Sequence, residues 1–196
     1  MTTAAWRVLG SEIGGCTACA ELAASRQRVV VGEAPAGRAV GRPALAFVGE
    51  APGAAEDAAG RPFVGKAGQL LDQLLNDAAL DRSQAAVLNV LKCRPPGNRT
   101  PRPDEIARCR PYLSRQLALL RPDLVVALGL TAVTWFLGRT TLSGARGRVH
   151  DVTVEGVPLR LLATYHPSAA IRFGPSGAPM AALRDDLALA AKLVSP

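Results

Sequence analysis

The chain has 196 residues, is 48% hydrophobic, and carries 23 Lys and Arg against 16 Asp and Glu, a formal charge of +7. That length suits one well-packed domain, residues 1–196, with a sizeable core. No apolar run is long enough to span a bilayer, and the N-terminal MTTAAWRVLGSEIGG lacks the basic start and apolar run of a secretory signal, so a cytoplasmic protein is expected. The positive balance suits a polyanion partner, since Lys and Arg neutralise phosphate in the sequence-independent part of DNA binding. A general enrichment in Arg, alongside Ala, Gly and Pro, fits the same numbers.

In chain order, the first feature is Cys16-x2-Cys19, later joined by Cys93 and Cys109, which have fifteen residues between them. Four cysteines in an intracellular chain point towards metal rather than disulfides. The spacing suits an iron–sulfur cluster, which takes four thiolates at irregular intervals, better than a zinc ribbon built from two close pairs, but zinc and unliganded thiols stay open.

An apolar run, ALAFV (44–48), reads as a strand ending at Gly49-Glu50. The loop AGRPFVGKAGQLL (59–71) follows, with Gly60, Gly65 and Lys66 at the spacing of a phosphate-binding loop. Ala67 lacks the hydroxyl such a loop uses for magnesium, Pro62 lacks a backbone donor, and the strand ends too early, so no nucleotide cofactor is expected. Phe63 is then a stacking platform or an ordinary core aromatic. Leu70, Leu71, Leu74, Leu75 and Ala78 keep a helical stripe after it.

AVLNV (86–90) is the second strand, containing Asn89. Pro103, Asp104 and Glu105 open a long helix with proline and acids in its first turn; Ile106, Cys109, Leu113, Leu117 and Leu120 share one face, and Pro111 predicts a kink. LVVAL (124–128) is the third strand, and LRLLAT (159–164) the fourth, running into Tyr165-His166-Pro167. Shorter helices are expected near 131–137 and 179–194. Strands alternating with helices predict a three-layer α/β/α sandwich with a central, mainly parallel four-stranded sheet. Ligands of such sheets bind beyond the carboxyl ends of the strands, so Glu50, Asn89 and His166 are expected to converge there.

With GEAPGAAEDAAGRPFVGKAGQLLDQLL, LNVLKCRPPGNRTPRPDEIARCRPYL, TYHPSAAIR and the cysteine spacing together, the chain from Cys16 to Arg172 resembles the family 4 uracil-DNA glycosylases, the iron–sulfur branch of their superfamily. The resemblance implies a [4Fe–4S] cluster on Cys16, Cys19, Cys93 and Cys109. It implies a uracil pocket lined by the backbone of Glu50, Ala51 and Pro52, with Phe63 stacking on the base, Asn89 reading its edge and His166 assisting departure of the base. Ser168, Ile171 and Arg172 match the segment that enters the minor groove, with Ile171 as a wedge, and Lys66, Arg94, Arg99 and SGARGR (143–148) are candidate phosphate contacts. His150 fits no motif and is read as structural.

Two departures matter. Family 1 relatives place Asp where Ala51 stands and a thymine-excluding Tyr where Gly53 stands. Glu50, Glu56 and Asp57 are the carboxylates available instead, and Glu50 is preferred for positioning water. A subgroup that captures DNA covalently carries a His in an insertion beside the third cysteine; CRPPGNRTP has neither. The expected partner is uracil-containing DNA, single- or double-stranded, with no membrane involved, and the chain is expected to act as a monomer. The alternative function is a catalytically weak iron–sulfur module that binds deaminated DNA, motivated by the missing aspartate at Ala51.

Overall fold

The computed structural model describes residues 3–35 and 44–194; residues 1, 2, 36–43, 195 and 196 of the expected domain lie outside these. The elements are α1 (Thr3–Gly14), α2 (Ala20–Ser25), β1 (Leu45–Gly49), α3 (Ala54–Ala59), α4 (Lys66–Asp77), β2 (Ala86–Asn89), α5 (Pro103–Leu120), β3 (Leu124–Leu128), α6 (Leu130–Leu137), α7 (Leu142–Ala145), β4 (Val149–Val154), β5 (Val157–Thr164), α8 (Pro167–Phe173) and α9 (Ala178–Val194). The sheet order is β2-β1-β3-β5-β4, parallel except at β4.

Every residue of β1, β2 and β3 is buried, as helices on both faces of a parallel sheet require. Alternation along β1 divides the core. Leu45 and Phe47 face the layer of Leu71 and Leu75 from α4 and Leu183 and Leu187 from α9. Ala46 and Val48 face Leu113 and Leu117 from α5 and Trp135 from α6. The helix stripes read from the sequence are therefore the surfaces that cover the sheet. Helix α5 continues through Pro111, and Glu105 accepts from the Arg102 N–H at 2.8 Å to cap its start.

The sheet has five strands rather than the expected four. The fifth, β4, is an edge strand whose burial alternates weakly and whose sequence VHDVTV carries polar residues, so it lacks the apolar run that marks the buried strands. It forms a two-residue hairpin with β5 through Glu155 and Gly156, at φ +49° and +76°, the paired positive values of a type I′ turn. His150 lies on β4 and its Nε2 is 2.7 Å from the Ala145 carbonyl oxygen.

The N-terminal segment is bound to the sheet edge by main-chain bonds. Glu33 exchanges two with Val87, at 2.8 and 2.9 Å, and Val30 donates to the Lys92 carbonyl at 2.8 Å. No helix among the described residues is long and apolar enough to cross a membrane.

Candidate active site

Beyond the carboxyl ends of β1, β2, β3 and β5 lies a cleft of about 530 Å³. Its walls include all six residues expected to contact a base: Glu50, Ala51, Pro52, Phe63, Asn89 and His166. Ser168, Arg172 and Arg99 also line it; Lys66 and Ile171 do not.

Asn89 is the last residue of β2, only 3% exposed, and its Oδ1 is buried without a hydrogen-bond partner. Buried polar atoms are rarely left unpaired, so this oxygen is open to accept a hydrogen bond from the cleft. Gly49 makes room for it. A Cβ at Gly49 would stand 2.5 Å from Asn89 Oδ1 and 2.6 Å from Phe63 Cζ. The Phe63 ring in turn lies 5.6 Å from the His166 ring, centroid to centroid.

His166 caps α8. The Ser168 N–H donates to its Nδ1 at 3.2 Å, and the Ser168 hydroxyl lies 2.8 Å from the same atom. A backbone N–H can only donate, so Nδ1 is the acceptor and Nε2 of the neutral ring carries the proton. The ring is half-buried by surface area but sits deep in the cleft, and this desolvation pushes its pKa down to about 4 against a smaller opposing pull from Glu56. Gly129 lies against it, since a Cβ there would be 2.9 Å from His166 Cβ.

The three carboxylates separate by their partners. Glu56 accepts from the N–H groups of Gly53 (3.1 Å), Val64 (2.9 Å) and Gly65 (2.8 Å), and Asp57 from those of Gln27 and Arg28. The amides at Val64 and Gly65, which a phosphate-binding loop would turn on its ligand, are thus taken by the protein's own carboxylate. Among the described residues Glu50 meets no main-chain donor in this way; its Oε2 accepts from the Thr131 hydroxyl, and both residues line the cleft. Thr131 was not anticipated from the sequence, where a threonine at the start of a helix carries no signal. Leu130 was also missed. It is 49% exposed, and with Ile171 (45%) and Phe173 (66%) it leaves large apolar side chains in solvent on the two helices flanking His166.

The candidate phosphate contacts divide likewise. Lys66 is exposed at the start of α4, and Arg172 is exposed on α8. Arg99 is held by Glu105 at 2.6 Å and by Glu21 at 3.2 Å, and Arg94 by Asn98 at 2.7 Å. Arg146, from SGARGR, turns inward onto the buried Asp186 at 3.1 Å, so that loop offers fewer free cations than its sequence suggests.

The four cysteines line a second, mainly apolar cavity between α1, α2, the segment after β2, and α5. Among the described residues no group of three or more His, Cys, Asp or Glu is placed to hold a metal ion. The donor set nonetheless suits a larger thiolate-bound group. Polar groups surround the sulfurs: Arg26 Nη1 donates to Cys93 Sγ at 3.1 Å, and Lys92, Arg108 and Tyr112 line the same cavity. Burial raises the Cys19 and Cys93 thiols and pushes Cys109 up to about 11, so these sulfurs ionise only against added positive charge.

The family description "Uracil DNA glycosylase superfamily" matches residues 38–188. Three curated relatives carry the name type-4 uracil-DNA glycosylase. That of Thermotoga maritima is 41% identical over 165 residues, 84% of this chain and 82% of its own. That of Pyrobaculum aerophilum is 46% identical over 131 residues, 64% of this chain and 67% of its own. That of Saccharolobus solfataricus is 35% identical over 170 residues, 84% and 76% of the two chains. A family match over most of the sequence, together with identities of this size, places the chain among the relatives whose motifs it shares: it belongs to the uracil DNA glycosylase superfamily.

Proposed function

We propose that this protein is a monofunctional DNA glycosylase that flips uracil out of DNA and removes it by hydrolysis, leaving an abasic site. The observation that carries this is the meeting of a buried carboxamide whose oxygen lacks a partner, an aromatic wall and a neutral imidazole beyond the ends of β2, β1 and β5.

The Watson–Crick edge of uracil presents O4 as an acceptor and N3–H as a donor. The Asn89 carboxamide offers one donor and one acceptor side by side, so it pairs with both, while Phe63 stacks on the base. Cleavage of the N-glycosidic bond leaves negative charge on uracil and positive charge on the sugar. The Nε2–H of His166 donates to O2 as that charge grows, which the neutral ring does without first gaining a proton. Glu50, anchored through one oxygen by Thr131, uses the other to orient water and stabilise the cationic sugar. No lysine lines the cleft among the described residues, which favours water over a Schiff base as the route. Lys66, Arg99, Ser168 and Arg172 contact the DNA backbone, and Ile171 is the wedge. The DNA is single- or double-stranded.

Cys16, Cys19, Cys93 and Cys109 hold a [4Fe–4S] cluster, which supplies a structural cross-link between the N-terminal segment and α5 and takes no part in excision. The binding-only alternative loses its motive, because Glu50 reaches the cleft from the position beside Ala51.

The test is incubation of the purified protein, in excess, with a uracil-containing oligonucleotide, followed by hot alkali. Strand scission at the uracil is expected, and Asn89→Ala is expected to abolish it while leaving iron content unchanged. An uncleaved strand with the unsubstituted protein would end the enzymatic reading.

A further inference from the structure

Phe63 has φ +52°, in the left-handed region that residues with a Cβ avoid. Such strain persists only where the surroundings over-determine it, and it concentrates where function needs a fixed geometry. Here the surroundings are explicit. A Cβ at Gly68 would fall 1.8 Å from the Phe63 carbonyl oxygen, so α4 approaches Phe63 as only glycine allows. Arg82, from a short turn before β2, grips the same backbone from another side. Its Nη1 donates to the Phe63 carbonyl at 3.0 Å and its Nη2 to the Pro62 carbonyl at 2.8 Å. The guanidinium is itself fixed by Asp72 of α4 at 2.6 Å, with Glu33 at 3.5 Å. Arg82 does not line the cleft.

We propose that Arg82 is a positioning residue for base binding: its fork spans two successive carbonyls and locks Phe63 in the left-handed conformation that sets its ring as the wall of the cleft. This rests on the role given to Phe63 above. The planar fork of arginine matches two acceptors at once, whereas the ammonium of lysine is a single point charge that serves one. The clamp acts on the pocket through main-chain atoms of an otherwise ordinary loop, which is why no side-chain motif announces it.

The experiment is single-turnover excision from a uracil oligonucleotide as a function of protein concentration, for Arg82→Met, Arg82→Lys, Phe63→Leu and the Arg82→Met/Phe63→Leu pair, with the thermal midpoint of each. Arg82→Met is expected to raise the half-saturating concentration about tenfold, the scale of one lost base–aromatic stack. Arg82→Lys should fall between it and the unsubstituted protein. In the Phe63→Leu background, Arg82→Met should add nothing. Unchanged saturation in Phe63→Leu overturns the stacking role itself. Weakened saturation in Phe63→Leu with unchanged saturation in Arg82→Met, or effects of the two that multiply while Arg82→Met lowers the midpoint, overturns the clamp. If Arg82→Met does not fold, Arg82→Lys, which keeps the charge opposite Asp72, decides the same comparison.

Discussion

The Lys92 ammonium donates to the main-chain carbonyl of Asn89 across 2.7 Å, and this bond joins the thiol cavity, which Lys92 lines, to the cleft that Asn89 lines. Lys92 is 2% exposed. Burial lowers its pKa to about 8, against the opposing pull of Cys109 and Cys93.

Lys92→Met keeps the length of the side chain and removes the donor. The change relieves a buried charge but strands the Asn89 carbonyl, a loss of about 1–3 kcal/mol, so net stability in denaturant unfolding should move by less than that. Affinity for uracil-containing DNA should nonetheless fall about tenfold, because the strand end that carries the reader is loosened. Binding titrations against matched DNA with and without uracil check this; equal loss for both would assign Lys92 to general DNA affinity instead.

Gly49→Ala tests whether the cleft is shaped around Asn89 and Phe63. The new methyl group would meet Asn89 Oδ1 at 2.5 Å and Phe63 Cζ at 2.6 Å, distances that force one of them to move. Overpacking of this kind costs about 1–3 kcal/mol. Excision should drop at least a hundredfold, with only a modest fall in the thermal midpoint. Normal turnover in this variant would show that neither side chain is needed where it stands.

Much of this was legible in the sequence because the chemistry follows strand ends. Glu50, Asn89 and His166 each lie at, or within two residues of, the end of a buried strand, and a parallel sheet brings such ends together whatever the loops do. The edge strand β4 was not legible, since an edge strand with solvent on one side has no apolar run to show. Nor were the supports. Arg82 forks onto two main-chain carbonyls, and Thr131 and Lys92 each bond a residue distant in sequence or a main-chain atom; no residue type or spacing encodes those contacts. In the cationic loop SGARGR, for the same reason, the sequence shows the charge of Arg146 but not the buried Asp186 that takes it.

Glu50 and Thr131 make a separable pair. Glu50→Gln keeps the shape but not the charge, and should slow single-turnover excision about 10²- to 10⁴-fold, the usual share of a positioned acid or base. Thr131→Val removes the hydroxyl that anchors one Glu50 oxygen and should cost about tenfold, with Thr131→Ser close to the unsubstituted rate. In the Glu50→Gln background the Thr131→Val effect should shrink, as expected for residues that share one hydrogen bond. Independent, multiplying losses would mean that Thr131 serves something other than Glu50.

The His166 imidazole gives the pH dependence. Its pKa in the folded protein is pushed down to about 4 by desolvation, whereas the unfolded chain takes up the proton near the ordinary value of 6.5. Between those values the unfolded state binds more protons, so stability contributed by neutral His166 is complete above pH 6.5 and is lost as the pH falls towards 4. Catalysis follows the folded value alone. The neutral Nε2–H donor is present throughout the range from pH 5.5 to 8, so the single-turnover rate should show no break near 6.5 attributable to this ring. Two measurements check the pair of statements. The slope of unfolding free energy against pH between 6.5 and 4 should decrease in His166→Gln, and the rate profile of the unsubstituted protein should stay level through 6.5. A break at 6.5 that vanishes in His166→Gln would mean that the ring titrates as an exposed histidine, and the neutral-donor mechanism would fall with it.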